Sequence, residues 1–234
     1  MGVSFADVRR EIRTRLVGMT VATTGSTTLA ATATGYTRAS GSFITDKFEV
    51  GMEITASGFG TAANNGLGIV TRAEALTLTV SAYDLASSNG VWTKTTRTLV
   101  TEGASSGRTL LVGLPTVRAW EGVRHEKLAG VPWVEERLVG GPSRRRGTTG
   151  DGEAEATPQY GLTLHCVAEK GTGATDRYGD ALFALLPPGQ GLGTTARVRG
   201  DTGMTRVALP EIHAGFTTTA LAFPLRIRTT QTTN

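Results

Sequence analysis

The sequence predicts an α+β protein: an antiparallel or mixed sheet flanked by two helices, interrupted by a small all-β domain of barrel or sandwich type. Three observations predict it. The 234-residue chain opens on an amphipathic helical stripe, passes into a long stretch of short alternating runs, and closes with strands that bracket a second helical stripe. Each element follows from its residues.

In "FADVRREIRTRLV", Phe5, Val8, Ile12 and Leu16 recur at three- and four-residue steps, which is one face of a helix. Ser4 is placed to cap it, Asp7 suits the positive end of its dipole, and Gly18 ends it. Arg9, Arg10, Arg13 and Arg15 fall mostly on other faces, open to solvent or to a partner. From residue 20 to residue 111 threonine, alanine and glycine dominate, with no helical period. Strands are expected at Thr27–Ala33, at Glu53–Ala56, around Val91–Val100, and in "LTLTVS" with Leu76, Leu78 and Val80 on one face. Asn64–Gly66 is a turn signal.

Beyond Leu114, "TVRAWEGV", "VPWVEERLVGG" and "QYGLTLHCVAE" read as strands, the last with Leu162, Leu164, Cys166 and Ala168 on one face. Trp120 and Trp133 are core or interface anchors in the first two. A helix follows Gly171–Gly173, with Tyr178, Leu182, Leu185 and Leu186 along one side and Pro187–Pro188 stopping it. Strands are expected again at Ala196–Arg199, at Arg206–Leu209 and in "TTALAFPLRIRTT". There Leu221, Phe223, Leu225 and Ile227 point inward, and Pro224 marks an edge or a bulge. The first helix has nothing near it in sequence to cover its stripe. It must pack on the C-terminal sheet, so the expected layout is a discontinuous domain of 1–19 and 112–234 with 20–111 inserted.

Composition narrows the function classes. Apolar residues make 39% and charged residues 19%, and no apolar run approaches the ~20 residues of a membrane span. The net charge of +4 is spread evenly, with 10 basic and 8 acidic residues up to Leu110 and 14 and 12 beyond it. A dedicated nucleic-acid binder would carry a lopsided basic stripe instead. The opening helix is charged throughout, unlike a secretory signal. One cysteine, Cys166, forms no internal disulfide and no cysteine zinc cage.

A search for chemistry returns little. There is no phosphate-cradling G-x-x-x-x-G-K-[ST], no nucleophile elbow, and no metal-ligand spacing among His125, His165 and His213. His165 and Cys166 are strand neighbours and point to opposite faces, as do Glu135 and Glu136, so neither pair forms an acid-base or thiol-imidazole couple. Asp151, Glu153 and Glu155 line one side if extended, where a flexible acidic tip is the expectation and a hard cation the alternative. No cofactor, metal site or catalytic residue is expected. The chain reads as a structural or binding protein.

The pattern "SRRRGTTGDGEAEATPQYGLTLHCVAE", then "GTGATDRYGDALFALLPPG", then a strand ending "FPLRIRT", resembles the tail terminator (tail completion) proteins of long, non-contractile-tailed phages. With the opening helix, the resemblance covers residues 3–18 and 112–229. The stretch "DKFEVGMEITASGFGTAANNGLGIVTRAEALTLTV" is similar to small β-modules that recur in phage virion proteins. The resemblance implies a virion protein at the head–tail junction, assembled in the host cytoplasm as a homo-oligomeric ring, usually a hexamer. Such a ring caps the head-proximal end of the tail tube, stops tube polymerisation and receives the head-completion (stopper) proteins. Its partners are other copies of itself, the tail-tube protein and the stopper, while genomic DNA passes through the bore without specific binding and no membrane is involved. Alternatives are a tail-tube or head-closure (neck) subunit, and an adhesive module that binds a cell-surface glycan.

In a ring, the tract of Arg144, Arg145, Arg146, Asp151, Glu153 and Glu155 has three candidate roles. It pairs subunits or rings by ion pairs, it lines the bore, or it is solvated.

Overall fold

The computed structural model describes residues 5–25, 27–88, 91–119, 130–139, 143–146, 153–156, 158–167, 173–192, 196–198, 205–209 and 216–230. The protein is mixed α+β and mostly strand, with two α-helices among the described residues. Helix α1 (Phe5–Val17) leads into nine strands that form a first sheet. These are β1 (Ala22–Thr23), β2 (Leu29–Thr32), β3 (Gly35–Arg38), β4 (Glu53–Ser57), β5 (Gly66–Ala73), β6 (Thr77–Ser88), β7 (Val91–Thr96), β8 (Glu102–Ser105) and β9 (Thr109–Val112). A second sheet follows: β10 (Val117–Ala119), β11 (Trp133–Val139), β12 (Ser143–Arg146), β13 (Glu153–Ala156) and β14 (Gln159–Val167). Helix α2 (Ala174–Leu185) precedes its last strands, β15 (Gly191–Leu192), β16 (Ala196–Val198), β17 (Thr205–Leu209) and β18 (Phe216–Thr230).

The first sheet runs β1-β9-β4-β5-β6-β3-β2-β8, with β7 also on β6. Strands β8 and β9 are joined by three residues yet lie near opposite ends of that order, so the sheet must curl until its ends meet. Arg108 fills the seam. Its guanidinium lies 4.7 Å from the Phe59 ring centroid, pairs with Glu102, and donates to the carbonyls of Leu29 (2.7 Å) and Gly103. A guanidinium suits this place because its fixed fork satisfies several acceptors at once. Leu78 and Val80 are buried as the alternation requires, but Leu76 is exposed. The Glu74 N–H donates to the Thr77 carbonyl at 2.9 Å, which puts Leu76 in the tight turn before β6 rather than on its face.

The second sheet runs β10-β11-β14-β18-β13-β12, with β16 and β17 also on β18. Its spine is a long antiparallel ladder. Residues 153–156 and 159–167 oppose 227–230 and 216–224 in one shared register, from Glu153 against Thr230 to Val167 against Phe216. Pro224 is therefore not at an edge, as its residue type led one to expect. The Leu225 N–H donates to the Pro158 carbonyl (2.9 Å), so the nitrogen of Pro224 faces the other side of β18. On that side β17 covers 218–222 and β16 covers 225–227, and Pro224 sits in the gap where no described strand asks for an N–H.

The α1 stripe is buried as periodicity demands: Val8, Ile12 and Leu16 are all almost inaccessible. They belong to one hydrophobic cluster with Tyr160, Leu162, Leu164, Tyr178, Leu182 and Leu225, so the helix does lie on the C-terminal sheet beside α2. Tyr178, Leu182 and Leu186 are buried along α2, while Leu185 is only partly covered. The same cluster continues into the curled sheet through Leu29, Tyr36, Ile54 and Leu110. Ile12 sits at the centre of the helix contact. Ile12→Ala is expected to lower unfolding free energy by about 2–5 kcal/mol, the range for a buried aliphatic truncated in a packed core, as read by urea denaturation.

Candidate functional site

The arginine-acid tract lies in the arms of a hairpin rather than at its tip. The β11–β14 and β12–β13 pairings differ in offset by one residue. β12 then pairs with β13, setting Arg144 opposite Glu155 and Arg146 opposite Glu153. Asp151 lies outside the described residues, as do His125, His213 and Trp120. β12 is the last strand in the sheet order, an arginine-rich edge. Charges on an edge strand oppose indiscriminate pairing and leave only complementary partners.

The α1 arginines divide their roles. Arg13 and Arg9 reach the carboxylate of Glu136 on β11, with Arg13 Nε at 3.0 Å from both oxygens and Arg9 Nε at 3.9 Å. Tyr160 donates its hydroxyl to the same carboxylate at 2.7 Å. Glu136 is buried and Glu135 exposed, the opposite-face arrangement that strand geometry requires. Arg15 pairs with Glu11 and donates to the Gly191 carbonyl on β15 at 3.2 Å. Arg10 pairs only weakly with Asp7, since both are exposed. Along this outer face Ala6, Arg10, Arg13, Thr14 and Val17 line an open surface depression.

His165 and Cys166 do not meet. The His165 ring stacks flat on Trp133 at 3.6 Å, and its Nδ1 lies 3.1 Å from Thr218 Oγ1. Cys166 is buried in the main cluster, where burial pushes its thiol up to about 12, so it stays protonated and unreactive at neutral pH. Trp133 is a core anchor in a second cluster with Ile69, Tyr83, Val117 and Val131, which joins the two sheets. Among the described residues, no group of three or more His, Cys, Asp or Glu is placed to hold a metal ion.

Three buried or half-buried acids organise the molecule, and sequence reasoning missed all of them. Glu136 had a signal, since it alternates with Val134 and Leu138 on an apolar face. Glu53 had none. It accepts from the Thr116 N–H (2.7 Å), the Thr116 hydroxyl (2.6 Å) and Tyr83, so it ties the curled sheet to the segment leading into β10. Burial raises its carboxyl above the ordinary range, against the lowering effect of those hydrogen bonds. Glu102 accepts from the Asn64 amide (2.8 Å) and from the Gly60 and Thr61 N–H groups, which hold it down at about 2.

The chain matches no protein-family model, no curated protein and no solved structure. Function must therefore be argued from the residues themselves.

Removing the Glu136 carboxylate takes the acceptor from a buried tyrosine hydroxyl and one ion-pair partner from Arg9 and Arg13. Glu136→Ala is expected to cost about 2–4 kcal/mol in chemical denaturation, less than the roughly 3–5 of a fully buried pair because Arg13 is partly solvated. Glu102 makes a second expectation. Its folded-state value lies below the ordinary 4.5, so its stabilising effect is complete above pH 4.5 and fades as pH falls toward 2. The melting temperature of Glu102→Gln should vary less with pH across that window than that of the unaltered protein.

Proposed function

We propose that this chain is a virion structural protein of the tail-terminator type. It forms a ring that caps the head-proximal end of a phage tail tube, ends tube polymerisation and receives the head-completion proteins. In this proposal residues 20–111 are a β-module inserted into a discontinuous domain of 1–19 and 112–234, carried on the outer rim away from the bore. The ring works by geometry and catalyses nothing. One face matches the last layer of tube subunits, and the other lacks the repeat that would recruit another layer.

The observation that carries the proposal is the long hairpin of residues 133–167. Its returning strands β13 and β14 both pair with β18, and the arginine-bearing β12 ends the order of described strands. Such an edge is a rigid, charged arm suited to setting register against a neighbouring subunit.

Neutralising Arg144, Arg145 and Arg146 together is expected to weaken ring assembly or tube capping while the melting temperature changes by only a few degrees. Negative-stain electron microscopy reads the rings, and tail-length measurement in complemented phage reads the capping. Intact rings with tails of normal length would remove the tract from any interface. Long tubes from the purified unaltered protein would make it a tail-tube subunit instead.

A further inference from the structure

The two helices lie side by side, and each turns one stripe outward. On α1 the exposed residues are Ala6, Arg10, Thr14 and Val17, and on α2 they are Asp176, Asp180, Phe183 and Ala184. Both stripes follow three- and four-residue steps, so each is one continuous face. Their chemistry is complementary. The α1 stripe carries a cation, Arg10, whose side chain is 76% exposed while it pairs with Asp7 one turn back, and the α2 stripe carries two acids. Each ends in a large apolar side chain left in water, Val17 at 55% and Phe183 at 45% exposure.

The spacing matches as well. Arg10 and Val17 are seven residues apart, and so are Asp176 and Phe183, two helical turns in each case. Laid parallel, the helices set Arg10 against Asp176 and Val17 against Phe183 at once. An antiparallel arrangement that pairs Arg10 with Asp180 sets Arg13 against Arg177 and Asp7 against Phe183. Within one molecule the two outward stripes cannot face each other, because the helices already meet along their inner sides. The matching surface is on another copy.

We propose that α1 of one copy packs, parallel, on α2 of the next, giving a head-to-tail self-contact. Two different surfaces meet, so each copy keeps one of each free for the next, and the contact propagates until it closes. This rests on the ring assignment above and supplies its subunit contact. The helix pair buries too little alone for a stable interface, which calls for ~1,000 Å² or more, and so it acts with the hairpin arm. The stripe charges supply register and the Val17–Phe183 contact supplies burial.

The test is a charge-swap mixing experiment on the full chain, read by native mass spectrometry and light scattering. Arg10→Glu gives an acidic α1 stripe facing an acidic α2. The pair Asp176→Lys with Asp180→Lys gives the reverse. Each variant alone is expected to assemble at least about tenfold more weakly than the unaltered protein, the loss of one or two charge pairs with repulsion in their place. An equimolar mixture should recover assembly, because alternating the two variants restores an opposite pair at every contact. Recovery also shows that both variants are folded. If the unaltered protein assembles and the variants do so equally well, the helix contact is wrong and the ring assignment stands. If both variants fail and the mixture does not recover, this pairing of faces is wrong. An unaltered protein that stays monomeric at high concentration overturns the ring assignment and the contact with it.

Discussion

The Glu136 carboxylate is the interaction on which the rest of the molecule depends. It is an acid inside a sheet, reached by two arginines from a helix more than a hundred residues away and by the hydroxyl of a buried tyrosine. A lone buried carboxylate is costly, and hydrogen bonds from Arg13 and Tyr160, with the Arg9 guanidinium close by, offset that cost. The geometry allows few other positions for α1, because Arg9 and Arg13 reach one point only when the helix lies along one line. The apolar stripe supplies the attraction and Glu136 supplies the address. With α1 in place, the outward stripes of α1 and α2 become a fixed pair of surfaces, since each helix is pinned on its inner side.

The ladder between 153–167 and 216–230 is the second constraint. The pairings of 153–156 and 159–167 with β18 share one register, and β18 is the common partner of four other described strands. Two prolines interrupt this spine without breaking it. Pro158 still accepts from Leu225 through its carbonyl, and Pro224 faces a gap between strands. The arginine arm is thus supported by backbone hydrogen bonds rather than by a flexible turn.

Between the two sheets the contact is polar at one point and apolar around it. Glu53 receives Thr116 and Tyr83, Glu49 pairs with Arg177 of α2, and the Trp133–His165 stack sits in a cluster drawn from both sheets. The curled sheet is in this way held against the second sheet by more than the two chain crossings that connect them.

Sequence alone determined the helices, because a three-to-four-residue apolar period has one physical solution, and it determined that α1 needed a distant sheet to cover it. It also located most strands, whose alternation is local. Tertiary structure decided the remainder. Pro224 has the local chemistry of an edge residue and lies in a central strand, since only the stagger of β16 and β17 shows that its missing N–H faces a gap. The arginine tract has the composition of a hairpin tip and sits in an arm, because strand pairing with 153–156 outweighs a weak local preference. Glu53 looks like a surface acid and Glu136 only shares a face with apolar neighbours, and donors brought from far along the chain make their burial tolerable. Periodicity is a property of neighbours in sequence, whereas the partner of a buried charge is a property of neighbours in space.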